Sequence, residues 1–282
     1  MNQDLIYHIS NLQRQNASYV IGTVIEVVGS TSAKTGSKIL IDAEGNVLTG
    51  WVGGGCAESS VCTEALACLE SQQPSTLDID MDDEVLGAGM PCGGHMRVFV
   101  EPVIARPTLW IMGHGAVAEC LCSFAAQCGF MVVVNDPGAS EQKFAQADQV
   151  ITDDIKYKEL KPQITDFVVI ATQHKGDHES TTQALDSGAP YIALIASRKR
   201  SRLVLEYLRN KNFTDEDLAS VIAPCGIDLG ARTPNEIALS VMAEIVMLRR
   251  DGKGGRLKDT INDSQSNVIG KGKLANLLQS SV

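Results

Sequence analysis

One segment, residues 108–137, reads TLWIMGHGAVAECLCSFAAQCGFMVVVNDP and places two glycines between an apolar strand and a helix. Gly113, Gly115 and Ala118 have the spacing G-x-G-x-x-A of the Rossmann fingerprint. There the first glycine permits a tight turn, the second lets a pyrophosphate approach the helix, and the small third residue packs against the sheet. Asp136 ends the second strand, where a carboxylate accepts hydrogen bonds from ribose hydroxyls. The segment predicts a Rossmann-type unit, with a chance match on another α/β fold as the alternative.

The rest of this half of the chain alternates short apolar runs with helix-compatible segments. The runs predicted as strands are TLWIM, MVVVN, QVI, DFVVIA and YIALIA. Such alternation is typical of a doubly wound parallel sheet, so the fold class is α/β. A last helix is predicted after Thr233, because Thr233 is a good N-cap, Pro234 suits the first helical position and Glu236 completes a capping box.

The first hundred residues predict a smaller α+β unit. Residues 19–28 are apolar and β-branched, and 37–52 contain two apolar runs around the turn signal AEGN, which indicates a hairpin. A helix over AESSVCTEALACLE and strands at LDID and HMRVFVEP complete it. We therefore predict an α+β domain over 1–102, with a linker at 101–107. A Rossmann-type domain over 103–250 follows, and then a polar, mostly disordered tail over 251–282 with a short helix at KLANLLQ.

Composition excludes some classes of function. The formal net charge is −10, from 34 acidic and 24 basic residues, whereas a general nucleic-acid binder carries a basic surface. We see neither a run of about 20 apolar residues nor a signal peptide, which predicts a cytoplasmic protein without a membrane partner. Its eight cysteines should then stay reduced. The absence of a C-x-x-C pair argues against a zinc ribbon, so no metal site is predicted.

A second glycine-rich stretch, WVGGGCAESS, precedes the predicted helix of the first domain. Gly53, Gly54 and Gly55 are followed by Cys56 and, two residues later, by Glu58. At a helix N-terminus the dipole favours a thiolate and the backbone amides can hold an anion. These five residues are therefore candidates for a binding and reactive site. A buried small cysteine on a tight turn is the structural alternative, and Glu58 is also ordinary first-turn chemistry.

Cys92 lies in GMPCGGHMRV, outside any periodic segment, and is predicted to be accessible. Cys225 lies between a proline and a glycine and stays open between the two interpretations. The remaining cysteines lie in apolar helical patterns, which predict core positions; they are Cys62, Cys68, Cys120, Cys122 and Cys128.

Charged groups follow two of the predicted strands of the Rossmann-type unit. The basic run SRKRSR begins at the carboxyl edge of the sheet, so Arg198 and its neighbours are candidates to receive a phosphate or an acidic partner; a solvated helix start is the alternative. His174 and His178 follow the fourth strand as candidate proton donors, or simply as part of a polar loop. His114, inside the glycine turn, either touches phosphate or is merely exposed.

Taken together, these stretches resemble the XdhC/CoxI family, which includes the CoxF-type proteins. The resemblance spans about residues 19–250. Its motifs are VVGSTSAKTGSKILI, GWVGGGCAE, MPCGGHMRVFVEP, the Rossmann segment, VVIATQHKGDHE, YIALIASRKRSR and APCGIDLGARTPNEIALSVMAEIV. Two stretches depart from the family pattern. The early loop GSTSAKTGSK lacks the proline and arginines of many relatives, and NDPGA lacks the arginine that often follows the acid.

The resemblance implies an accessory factor of a molybdenum hydroxylase such as xanthine dehydrogenase or carbon monoxide dehydrogenase. Such a factor binds molybdenum cofactor (molybdopterin, in some relatives its cytosine dinucleotide form) and supports its sulfuration. It then inserts the cofactor into the apo molybdenum hydroxylase. A partner cysteine desulfurase would supply the sulfur. A homodimer is expected because the apolar sheet face of the small first domain has little else to cover it, and the family resemblance points the same way. In this setting Cys56 and Cys92 would ligate the metal or carry sulfur, and Glu58 would act on protons.

Two other functions compete with that of a cofactor-binding chaperone. An NAD(P)-dependent oxidoreductase would use the Rossmann fingerprint for a nicotinamide dinucleotide, although no Tyr-x-x-x-Lys pair accompanies it. A nucleotide-sensing regulatory protein would use the same glycines for a dinucleotide and the thiols to report redox state. We favour the chaperone over an enzyme that turns over a free substrate.

Overall fold

The structure is a computed structural model, and it describes residues 3–80, 94–172 and 176–260. The chain divides into two compact units, Met1–Arg106 and Pro107–Val282. The division falls inside the predicted linker. Strand pairing continues to Val103, so the first residues of that linker belong to a strand. The helix predicted at 273–279 lies outside the described residues.

Unit 1 is a five-stranded sheet with two helices. In chain order its elements are α1 (Gln3–Arg14), β1 (Tyr19–Gly29), β2 (Lys38–Asp42), β3 (Val47–Gly50), α2 (Gly55–Ser71), β4 (Ser75–Asp80) and β5 (Gly94–Val103). The strand order is β3-β2-β1-β5-β4, and the pairs are antiparallel. The predicted strands, hairpin and helix are all present. Helix α1 was not predicted from the sequence.

Different helices cover the two faces of this sheet. Alternate residues of a strand point to opposite faces, so neighbouring residues of β2 pack against different helices. Ile39 and Ile41 pack in one cluster with Val61 and Ala65 of α2. Leu40, between them, packs in another cluster with Leu5 of α1. One argument for a homodimer was that the apolar sheet face of the small first domain has little else to cover it. That premise is wrong for the part of the face that α1 covers.

Unit 2 is a six-stranded parallel sheet flanked by helices. Its main elements are β6 (Thr108–Met112), α3 (Ala116–Gln127), β7 (Met131–Asn135), β8 (Gln149–Ile151), β9 (Phe167–Ile170), α4 (Asp177–Asp186), β10 (Ile192–Leu194), α5 (Arg198–Asn210), β11 (Val221–Ile222) and α6 (Pro234–Arg249). A 3₁₀ helix (Asp217–Ser220) precedes β11, and a short helix α7 (Leu257–Thr260) follows α6. The spatial order β11-β10-β9-β6-β7-β8 is the 3-2-1-4-5-6 order of a Rossmann domain read from the other edge.

The core of unit 2 explains why its strands were readable from sequence. Strand β9 is buried along its whole length, as expected of a strand covered on both faces. Helices α3 and α6 pack in one cluster on the sheet, and α4 and α5 lie against its other side. Strand β11, only two residues long, was missed. Among the described residues, no helix is long and apolar enough to span a membrane.

Candidate functional site

The first glycine turn, residues 50–56, connects β3 to α2 through backbone that only glycine adopts easily. Gly53, Gly54 and Gly55 all have positive φ, at 122°, 69° and 57°. Gly50, at φ 90°, lies so close to the preceding strand that a β-carbon there would overlap the carbonyl oxygen of Lys38. Gly54 is the N-cap of α2, and no side chain caps the helix, so its first amides remain available to an anion.

Two other chain segments meet this turn. The Ser32 hydroxyl donates a hydrogen bond to the Gly53 carbonyl oxygen at 3.1 Å. Gly94, the first residue of β5, pairs with Gly29, and a β-carbon on it would lie 2.7 Å from the Ser30 carbonyl oxygen. The motifs around residues 30, 53 and 94, far apart in sequence, therefore form one surface at the start of α2.

The thiol at this surface is Cys56, which is exposed on the first turn of α2. Glu58 follows it and is half-buried. One turn further, burial raises the pKa of the Cys62 thiol, and the charge of Glu58 raises it further. The exposed Cys56 is therefore the accessible thiol of this helix start. Cys92 lies outside the described residues, two positions before Gly94 in the sequence.

The other described cysteines range from buried to exposed: Cys68 and Cys122 are buried, Cys62, Cys120 and Cys225 are half-buried, and Cys128 is exposed. Burial raises the pKa of Cys122 to about 11, and burial together with the Glu244 charge raises that of Cys225 to about 12. A thiol with such a pKa is almost wholly protonated at neutral pH and is a poor nucleophile. Cys68 is buried as predicted. The core prediction for Cys128 is wrong, because this residue is the exposed C-cap of α3.

The Rossmann turn, residues 113–118, leads from the central strand β6 into α3. Gly113 has φ 146°, and a β-carbon on it would overlap the carbonyl oxygen of Ala171 beyond the end of β9. Gly115 is the N-cap of α3 in extended conformation, and no side chain caps the helix. Ala118 is completely buried in the cluster that joins α3 to the sheet. All three positions have the geometry that the fingerprint predicts.

Asp136 has a partner that the sequence pattern did not indicate. His114 Nδ1 lies 2.7 Å from Asp136 Oδ1, and the Gly138 amide donates to the same oxygen at 2.8 Å. The Asp136 side chain is 10 % exposed and that of His114 41 %. The carboxylate predicted to hold ribose is therefore hydrogen-bonded within the protein itself. The spacing of 22 residues gave no signal of this pair.

A second polar network connects the first turns of α4 and α5 in unit 2. Asp177 is buried and accepts hydrogen bonds from the Thr172 hydroxyl and, at 2.9 Å, from Arg200 Nε. Arg198, the first residue of α5, is exposed. His178 packs edge-on against Tyr207, with ring centroids 4.6 Å apart. Arg200 thus has a structural partner, whereas Arg198 remains a candidate to contact a ligand. His174 lies outside the described residues.

Metal ligation by protein side chains is not indicated in the three described ranges. No group of three or more histidine, cysteine, aspartate or glutamate side chains there is arranged to hold a metal ion.

Comparison with known proteins gives the chain two family matches. Residues 109–245 match the model described as the XdhC Rossmann domain, and residues 12–80 match that of the XdhC and CoxI family. The uncharacterized protein YqeB of Escherichia coli K12 is 29 % identical over 92 % of this chain, which spans only 49 % of the length of YqeB.

Two further relatives have names that state a role. One is a probable xanthine dehydrogenase subunit of Bacillus subtilis 168, 24 % identical over 82 % of this chain and 93 % of its own length. The other is the molybdenum cofactor insertion chaperone PaoD of E. coli K12, 24 % identical over 82 % of this chain and 83 % of its own length.

Proposed function

Because the chain belongs to the XdhC/CoxI family, we propose that it is an accessory factor that binds molybdenum cofactor and matures a molybdenum hydroxylase. The client would resemble xanthine dehydrogenase or carbon monoxide dehydrogenase. The factor would support sulfuration of the cofactor and insert it into the apo enzyme. The names of two relatives, one an insertion chaperone and one a xanthine dehydrogenase subunit, support this role.

The observation that carries the proposal is the start of α3. The N-cap of this helix is Gly115, no side chain caps it, and it follows the central strand of a Rossmann sheet. The amides of such a helix start bind phosphate, and the cofactor carries one on its pterin side chain. We propose that Gly113, Gly115 and Ala118 form this phosphate site, and that the exposed Arg198 contributes positive charge at the same sheet edge.

Unit 1 carries its own candidate site for metal or sulfur chemistry, at the start of α2. The exposed Cys56 offers the soft sulfur ligand that suits a thiophilic metal, and the glycines Gly53, Gly54 and Gly55 leave its surroundings open. We propose that Cys56 and Cys92 contact the metal or its transferable sulfur, and that Glu58 handles a proton there. A cysteine desulfurase would be the sulfur source.

The first experiment asks what the chain carries. The protein is purified from molybdate-fed cells, and the bound pterin is oxidised and identified by fluorescence and mass. A molybdopterin derivative at near-stoichiometric amount is expected, with or without the cytosine nucleotide. Protein free of pterin, or protein that binds NAD(P)H and oxidises a small substrate, would contradict the proposal.

The second experiment asks whether the thiols act. Cys56→Ser and Cys92→Ser are expected to leave soluble protein that no longer activates the hydroxylase, because a serine hydroxyl is far harder to ionise than a thiol. The matched control is Cys128→Ser, which removes another exposed thiol at the far end of α3. Full hydroxylase activity with Cys56→Ser, Cys92→Ser and the double variant would remove the thiols from the proposal and leave the phosphate site.

A further inference from the structure

His114 covers the place where a Rossmann domain recognises ribose. In such domains the acid at the end of the second strand binds the ribose hydroxyls. Here that acid is Asp136, and its Oδ1 already accepts hydrogen bonds from His114 and from the Gly138 amide. We infer that His114 closes this position, so that the Rossmann turn holds ligands by phosphate without recognising a ribose diol.

The accessibility of Asp136 supports this inference. A diol binds a carboxylate best when both hydroxyls donate to it, which requires the carboxylate edge to face the ligand. The Asp136 side chain is only 10 % exposed, and the imidazole that contacts it is 41 % exposed. The ring is therefore far more exposed to solvent than the carboxylate that it contacts.

The absence of a side chain at Gly138 leaves space for the imidazole ring of His114. A β-carbon on Gly138 would lie 2.8 Å from the Cγ, Nδ1 and Cε1 atoms of His114, closer than real side chains approach. The φ angle of Gly138 is not in the left-handed region, so its backbone does not require glycine. The glycine is needed because the imidazole lies directly against it.

The inference goes beyond the proposed function, because it concerns which ligands the Rossmann unit rejects. It holds whether the natural ligand is a molybdenum cofactor or another phosphate ester. For NAD, and for a pterin that carries a cytidine nucleotide, the inference means that Asp136 does not bind the ribose hydroxyls. A ligand with a phosphate and no ribose suits the site as it stands.

The test measures binding of NAD, and of its analogue that lacks the adenosine 2′-hydroxyl, to the full chain by calorimetry. The wild type should bind the two ligands equally weakly. His114→Ala should uncover Asp136 and bind NAD at least about tenfold more tightly, since a hydrogen bond to a charged group has about that effect on affinity. The deoxy analogue should gain little. His114→Ala/Asp136→Asn should lose the gain.

A second variant moves the ring without removing it. Gly138→Ala should push the imidazole off Asp136 and give a smaller gain of the same kind, while Gly255→Ala, where a β-carbon meets nothing within 4 Å, should change nothing. Both proteins are checked for an unchanged circular dichroism spectrum. The inference is overturned if His114→Ala binds NAD no better than the wild type, or if the wild type already prefers NAD to its deoxy analogue.

Discussion

The two glycine turns of this protein look alike in sequence and differ in what their glycines do. In the first glycine turn, three consecutive residues need left-handed backbone, and the thiol that follows is exposed. In the Rossmann turn, Gly113 alone has positive φ, Gly115 is extended, and the cysteines within the following helix are buried or half-buried. The first turn exposes a side chain, whereas the second exposes backbone amides.

The sharpest expected difference is in thiol reactivity. A pH of 8 is three units below the Cys122 pKa of about 11, so about one Cys122 side chain in a thousand is a thiolate at that pH. We expect iodoacetamide to modify Cys56 at least about 100-fold faster than Cys122 in the folded chain, because Cys56 is exposed whereas Cys122 is buried and almost wholly protonated. Peptide mapping by mass spectrometry measures both rates.

The control for that difference is the exposed Cys128, which should be modified on the same timescale as Cys56. In urea all these cysteines should react alike. Rapid modification of Cys122 in the native protein would mean that α3 opens readily, and the contrast between the two turns would fail.

The next effect concerns stability. Gly50→Ala in unit 1 and Gly113→Ala in unit 2 should each lower the free energy of unfolding by about 3 kcal/mol or more. Each adds left-handed strain and an overlap with a backbone carbonyl oxygen. Urea unfolding followed by hydrogen exchange of the strand amides reports the two units separately.

Matched controls isolate the overlap from the strain. Gly36→Ala, at φ 91°, matches Gly50, at φ 90°, and Gly188→Ala, at φ 73°, is a second position of positive φ; a β-carbon on Gly36 or Gly188 meets nothing within 4 Å. Each of these two variants should lower the free energy of unfolding by only about 1 kcal/mol. Equal losses in all four variants would show that the close approach of backbone at Gly50 and Gly113 is unimportant.

A smaller effect is expected at α6, which is capped where α2 and α3 are not. The Thr233 hydroxyl accepts from the Glu236 amide, and the Glu236 carboxylate accepts from the Arg232 and Thr233 amides. Thr233→Ala should lower the free energy of unfolding by about 1 kcal/mol. Thr233→Ser should keep most of the wild-type free energy of unfolding, because serine is also a good N-cap. An unchanged free energy of unfolding in Thr233→Ala would contradict the capping box.

The same cap predicts a pH dependence. The Arg232 amide, then the Thr233 amide and hydroxyl, lower the pKa of Glu236 below its ordinary 4.5. A carboxyl whose pKa is depressed in the folded state stabilises the fold above its unfolded pKa, and this stabilisation is lost as pH falls through the folded value. Glu236→Gln should therefore flatten the decline in stability below pH 4.5.

The sequence predicted the elements that local pattern controls. The strands of unit 2 were evident because parallel strands are apolar throughout, and the cap of α6 because its three residues are consecutive or nearly so. Helix α1 was not predicted, although Leu5, Ile9 and Leu12 recur at helical spacing and pack in one cluster. Strand β11 was missed because two residues carry no periodicity.

The candidate sites were predictable in position and not in detail. The pattern predicted a glycine turn between a strand and a helix at Gly113 and Gly115, and an acid after the next strand, and the structure has these elements there. Whether Asp136 faces solvent or His114 depends on how the turn after β7 packs against the Rossmann turn, and no local spacing encodes that. For the same reason the contact of Ser32 with Gly53 could only be seen in the fold.

The smallest expected effect separates the two uncapped helices most directly. Gly115, at φ −82° and ψ 177°, already has the extended backbone of an ordinary N-cap, whereas Gly54 is left-handed at φ 69°. Gly115→Ser should therefore cap α3 and raise the free energy of unfolding of unit 2 by about a few tenths of a kcal/mol. Gly54→Ser should give unit 1 no such gain.

The hydroxyl of Gly115→Ser would accept hydrogen bonds from the amides that we assign to phosphate, so this variant should also weaken binding of inorganic pyrophosphate. Hydrogen exchange of the α3 amides and calorimetric titration measure the two effects. A variant that is more stable and still binds pyrophosphate like the wild type would show that these amides do not hold the phosphate.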